Sequence, residues 1–168
     1  MGTENIYPEV PVQARMKDHP LSPEKIAHLL DTELVGRLAT NGADGCPYVT
    51  PVHFAVMDGT VYIHGLAAGE KLHNIRRDPM VGFEVDKMLS LIHHPDLPCD
   101  TNTVYESVIV RGRASVVQDT ATVTRVLDAI VAKYTPQHTG KGYPPNMLKM
   151  TAVIAVHVTS CTGKFYPA

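Results

Sequence analysis

Asp58-Gly59 sits between two runs rich in β-branched and aromatic residues, "VTPVHFAVM" before it and "TVYIHG" after it. Asp-Gly in that setting is hairpin chemistry, because both turn positions need positive φ. A second turn signal, Asn41-Gly-Ala-Asp-Gly45, separates "LVGRLAT" from "CPYVTPVHFAV". Connections this short join antiparallel strands, since a parallel return needs a crossover of a dozen or more residues. The chain is therefore committed to an antiparallel sheet before any other feature is weighed.

The rest of the pattern fits around that commitment. Strands are expected over 34–40, 46–56, 60–65, 80–91 and 104–119, with a last one near the C-terminal end. Pro51 lies inside the second of these and cannot donate a ladder hydrogen bond, so an edge, a bulge or a bend is expected there. Gly112 marks a bulge or sharp bend in the longest strand. Helices are expected at "SPEKIAHLLDTE", with Ser22 as cap and Pro23 at the first helical position. Others fall at about 68–78, with Leu72 and Ile75 inward, and at 120–134. Segments 92–103 and 135–146 read as loops. The sum is mainly β with flanking helices: six antiparallel strands in a closed or partly closed barrel.

With 168 residues, 44% apolar and 19% charged, one globular domain over 22–168 is expected, preceded by an extended arm over 1–21 carrying Pro8, Pro11 and Pro20. The formal net charge of −2 gives no field for a nucleic-acid backbone. No apolar run reaches the length of a membrane span, and the N-terminus lacks the apolar segment of a secretory signal. Cys46, Cys99 and Cys161 form no paired motif, so neither a disulfide framework nor a zinc site is expected. The expected location is the cytoplasm.

The chemistry concentrates at "YIHGLAAGEKLHNIRR". A strand ending in His64 passes through Gly65 and Gly69 into a helix with Lys71 in its first turn. A cation there opposes the helix dipole, unless an anion lies between the ammonium and the free amides. The competing reading is an ordinary surface helix. Thr50-Pro51-Val52-His53-Phe54 is a second candidate: Pro51 interrupts pairing and frees backbone groups for a flat polar ligand, or marks a simple bulge at the rim. His53 and His64 are expected to approach each other across the hairpin, as hydrogen-bonding groups or acids rather than as a two-ligand metal site. His93, His94 and Cys99 share a loop but match no metal-ligand spacing. Arg111 and Arg113 share a strand face, solvated or paired with an anion.

The ordered set "GRLAT…DGCPYVTPVHFAVMDGTVYIHGLAAGEKLHNIRRDPMVGFEVD" followed by "YESVIVRGRASVVQD" resembles the flavin-binding split-barrel proteins related to pyridoxamine 5'-phosphate oxidase, nearest to the branch of nitroimidazole-resistance proteins. The resemblance covers about residues 22–164. It implies a six-stranded split barrel that dimerises and binds one FMN in each of two grooves between subunits. By position it implies that the backbone of Thr50, Pro51, Val52, His53 and Phe54 lines the isoalloxazine ring and that His64 faces the ligand pocket. It further implies that Lys71 grips the phosphate with Asn74 following on the same helix face, and that Ser107 and Lys164 also belong to the flavin site, Ser107 from the partner subunit. Two departures stand out. Glu70 replaces an Arg of the oxidase, and no Trp exists in the chain, so oxidation of the pyridoxamine vitamer is not expected.

The resemblance thus points to an FMN-dependent oxidoreductase that passes electrons from a reduced nicotinamide or another donor to a small acceptor such as a nitroaromatic, with His64 as the candidate catalytic group. The alternative is a binding protein without turnover, holding flavin, a deazaflavin or haem. Haem would draw on His53 or His64 as axial ligand.

Overall fold

The structure, a computed structural model, describes residues 18–167. Most of the expected N-terminal arm, residues 1–17, lies outside them. The strands are β1 (Gly36–Asn41), β2 (Pro47–Val52), β3 (Phe54–Met57), β4 (Thr60–Leu66), β5 (Met80–Ile92), β6 (Asn102–Val116) and β7 (Thr151–Tyr166). The helices are α1 (Pro23–Thr32), α2 (Glu70–Arg77), α3 (Thr120–Tyr134) and α4 (Pro145–Met150). The strands form one antiparallel sheet in the order β2-β1-β5-β6-β7-β4-β3.

Seven strands stand where six were expected. The run 46–56 is not continuous: it breaks at His53 into β2, which pairs with β1, and β3, which pairs with β4. These partners lie at opposite ends of the strand order, so both halves of the broken run are edge strands. The sheet is open in its hydrogen bonding, yet its two edges are joined covalently through His53. An edge is where a strand tolerates Pro51. The expectation of an edge or bend near that proline holds, with the wider consequence that one strand serves both sides of the split.

The hairpins behave as their turn residues require. Met57 pairs with Thr60 around Asp58 and Gly59, whose φ values of 50° and 72° give the left-handed two-residue turn. Gly112 marks a register shift in β6 against β7, and a Cβ there would stand 2.6 Å from the His157 carbonyl oxygen, so only glycine fits the bulge. Ser22 caps α1, its hydroxyl accepting from the Lys25 amide. The short helix α4 begins inside the expected 135–146 loop, at Pro145, and was not legible in the sequence.

Two apolar clusters hold the fold. The larger gathers Leu38, Phe54, Ile63, Leu72, Phe83 and Ile154 among others from the strands and α2. The smaller lies under α3, where Val126 and Ile130 meet Tyr62, Val153 and Ala155. Strands β4 and β7 are covered on both faces where the clusters meet, which is why Val61, Tyr62 and Ile63 are all buried instead of alternating. At the other end of β7, Pro20 bridges Lys164 and the Leu21 amide donates to the Gly163 carbonyl, seating Leu21 in the core. Among the described residues no helix is long and apolar enough to cross a membrane.

Candidate functional site

The break at His53 and the corner after β4 open onto one cavity of about 390 Å³, lined by Val35, Pro51, Val52, His53, His64 and Lys71. The sequence fragments that carried separate hypotheses therefore meet. His53 and His64 face each other across it, ring centroids 6.1 Å apart and nearly parallel at 18°. Burial first, then the charges of His53 and Lys71, hold the His64 imidazole below the ordinary histidine range, so it is neutral near pH 7.

Lys71 is the second residue of α2. Its ammonium has no hydrogen bond or ion pair with any described residue. It lies across Gly65, where an added Cβ would stand 3.4 Å from Nζ. The helix starts at Gly69, whose φ of 132° suits glycine alone, and no side chain caps its first turn. Free amides, an unpaired half-buried ammonium and an open approach give this corner the chemistry to receive an anionic group.

The remaining predicted residues divide. Phe54 is fully buried, its ring edge-to-face with Phe83 at 4.9 Å. Its backbone is not free for a ligand: the Tyr134 hydroxyl accepts from its N–H (2.9 Å) and donates to its C=O (3.1 Å). Thr50 lies one residue from the cavity lining, and its Oγ1 is buried without a hydrogen-bond partner. Asn74 is 1% exposed and turns inward, donating from Nδ2 to Thr40 Oγ1 at 3.1 Å. It fastens α2 to β1. Asn74→Ala is accordingly expected to lower unfolding stability by about 1 kcal/mol in urea titration while leaving ligand affinity at the cavity unchanged. A selective loss of affinity would return Asn74 to the site.

Ser107 and Lys164 are cross-strand partners on β6 and β7, with the Lys164 ammonium 5.4 Å from the Tyr105 ring centroid. Neither lines the cavity. His64 pairs with Val153 of β7, eleven residues before Lys164, a path of roughly 35 Å along that strand. Arg111 and Arg113 are both exposed. His93, His94 and Cys99 lie between β5 and β6, where His94 Nδ1 accepts from the Asp96 and Leu97 amides. Among the described residues no group of three or more His, Cys, Asp or Glu comes together as a metal site.

Sequence reasoning missed Tyr134, which stacks on His53 at 4.2 Å. Its one signal was a phenol closing the apolar face of α3, since a buried Tyr hydroxyl needs a partner. A larger concavity of about 1080 Å³ lies among α1, α3 and β3. Its Lys133 is already engaged, donating to the Leu30 carbonyl at 2.9 Å and standing 3.7 Å from the Phe54 ring centroid. The smaller cavity is the one with an unpaired cation.

Comparison with known proteins agrees with this architecture. Over 83 residues the chain is 36% identical to a 5a,11a-dehydrotetracycline/5a,11a-dehydrooxytetracycline reductase of Streptomyces rimosus, a match covering 47% of this chain; the chain spans about half the length of that relative, 52%. Among solved structures, the flavocytochrome Anf3 of Azotobacter vinelandii superposes with a TM-score of 0.81 at 22% identity, over 96% of this chain and 77% of that one. A candidate 5-nitroimidazole antibiotic resistance protein of Bacteroides thetaiotaomicron gives 0.76 at 22%, over 87% and 86%. A FAD- and haem-binding protein of Mycobacterium smegmatis gives 0.78 at 21%, over 88% and 72%. These structural likenesses show the fold. The sequence profile described as Pyridoxamine 5'-phosphate oxidase matches residues 22–165, nearly the whole described chain, and the protein belongs to that family.

Proposed function

We propose that the cavity beside Lys71 holds the phosphate end of FMN and that the protein is an FMN-dependent oxidoreductase, taking electrons from a reduced nicotinamide or another donor and passing them to a small acceptor such as a nitroaromatic. One observation carries the reading: Lys71 offers an unpaired ammonium at an uncapped helix start, beside two histidines and a strand break. A terminal phosphate monoester matches that corner better than the internal pyrophosphate of FAD, because its dianion can meet the ammonium and the first-turn amides together. The names of the relatives agree in class: one is a reductase and others are flavin- or haem-binding proteins.

Bound flavin supplies the hydride and electron chemistry. The chain's own residues hold and orient. Lys71 anchors the phosphate. The segment from Pro51 to His53 borders the ring. Neutral His64 carries one N–H and one ring nitrogen lone pair, and either can exchange a hydrogen bond with the acceptor. Ser107 on β6 and its cross-strand partner Lys164 on β7 do not line this cavity in their own chain; in this reading a second copy supplies them across a homodimer interface.

The test is direct. The purified protein, incubated with FMN and desalted, is expected to keep a flavin absorption spectrum, to release FMN on denaturation as identified by mass, and to be bleached by a reduced nicotinamide. Release of FAD would correct the cofactor. A haem spectrum, or a colourless protein after incubation, would overturn the reading.

A further inference from the structure

Tyr134 has no role in the flavin site proposed above, yet it touches His53 of the cavity wall and the residue that follows it. Its hydroxyl both accepts from and donates to the backbone of Phe54. Only a group that is donor and acceptor at once can do this, and a phenylalanine cannot. The bonded residue is the first of β3, directly after the break, on an edge strand whose outward groups would otherwise need water. Its ring lies 4.2 Å from that of His53 at 24°, and His53 in turn lies 6.1 Å from His64. Three nearly parallel rings thus run from α3 to the cavity.

The neighbouring residue reinforces the grip. The Lys133 ammonium covers the face of the Phe54 ring and ties α3 to the last turn of α1 through the Leu30 carbonyl. The end of α3 therefore holds one residue by its backbone and by its side chain, and α3 is itself packed through Val126 and Ile130.

We propose that Tyr134 is a positioning residue of this cavity: through its hydroxyl on Phe54 and its ring on His53 it fixes the strand break and the spacing between His53 and His64. The reading of the cavity as a flavin site gives this a functional meaning, but the geometry and its test stand without ligand. The charged or titratable groups facing His64 are His53 from the break and Lys71 from α2; its partner on β7 is the apolar Val153. Tyr134 reaches His64 only through His53.

The experiment follows the imidazole signals of His53 and His64 by NMR against pH in the ligand-free full chain, with hydrogen exchange of the Phe54 amide. Tyr134→Phe keeps the ring and deletes the hydroxyl. It is expected to speed Phe54 exchange about tenfold. It is also expected to raise the His64 midpoint toward the ordinary value of about 6.5, as His53 drifts away. Val126→Ala, a destabilising change in the same helix, is expected to leave the His64 midpoint at its parental value. His53→Ala, at an exposed position, is expected to raise the His64 midpoint while sparing Phe54 exchange, and serves if Tyr134→Phe does not fold. Parental His64 titration together with parental Phe54 exchange in Tyr134→Phe would overturn the proposal; where that variant does not fold, a parental His64 midpoint in His53→Ala would. Failure of the protein to bind FMN would overturn the flavin assignment and leave these outcomes untouched.

Discussion

Phe54→Ala is expected to destabilise the protein by about 3–5 kcal/mol, the range for emptying a fully buried aromatic position. Phe54 has no exposed surface and packs edge-to-face on Phe83. Gly36 makes room for this pair: a Cβ there would come within 2.3 Å of the Phe83 ring and 3.1 Å of Phe54. The cavity left by truncation would not close easily, because the surrounding wall is sheet on one side and the fixed end of α3 on the other. The Lys133 ammonium would also lose the ring that faces it. Burial already draws that ammonium below the usual lysine range, so the loss adds a charge term to the packing term. Urea unfolding at pH 7 measures the change. Phe54→Leu, which refills much of the volume, is expected to recover over half of it. A loss below about 1 kcal/mol for the alanine variant would mean that Phe54 is not the keystone between barrel and α3.

This residue also marks the limit of what the sequence disclosed. Turn chemistry was local and therefore legible: Asp58-Gly59 demanded a two-residue hairpin, Gly112 a bulge, Ser22-Pro23 a helix start, and each is found where it was expected. The corner around Lys71 was legible for the same reason, since an unfavourable charge beside a free helix terminus is a conflict visible in a few adjacent letters. The break at His53 was half legible. Pro51 announced an edge, but no local signal says that the strands on either side of His53 stand at opposite edges of the sheet; that follows from the pairing of all seven strands. Asn74 shows another limit. The resemblance implied a place for it on the Lys71 face of the helix, and no local signal told that α2 buries it against Thr40. Tyr134 sits eighty residues from Phe54. A contact that distant leaves no trace in spacing.

Lys71→Ala is expected to weaken FMN binding by about 1.5–3 kcal/mol, or roughly ten- to 150-fold, the range for a hydrogen bond to a charged group. The ammonium has no partner to leave stranded within the described chain, so the substitution removes a ligand contact without breaking a structural one. It also relieves a cation near the positive end of α2, so stability is expected to hold or rise slightly. Loss of affinity with stability kept is the signature of a binding residue, and flavin fluorescence titration beside urea unfolding reads both. The effect should shrink as ionic strength rises, and riboflavin, which lacks the phosphate, should bind parent and variant alike. Lys164 gives the companion test. If one copy contributes Lys71 and the other Lys164, Lys71→Ala and Lys164→Ala chains each bind poorly alone. Dissociated and reassociated together, they form mixed dimers with one site bearing both lysines and one bearing neither. Mixing is then expected to restore tight binding at about a quarter of all sites, since about half the dimers are mixed and each regains one site. No recovery on mixing, with mixed dimers demonstrated by mass, would place both lysines' effects within a single chain and remove the shared groove.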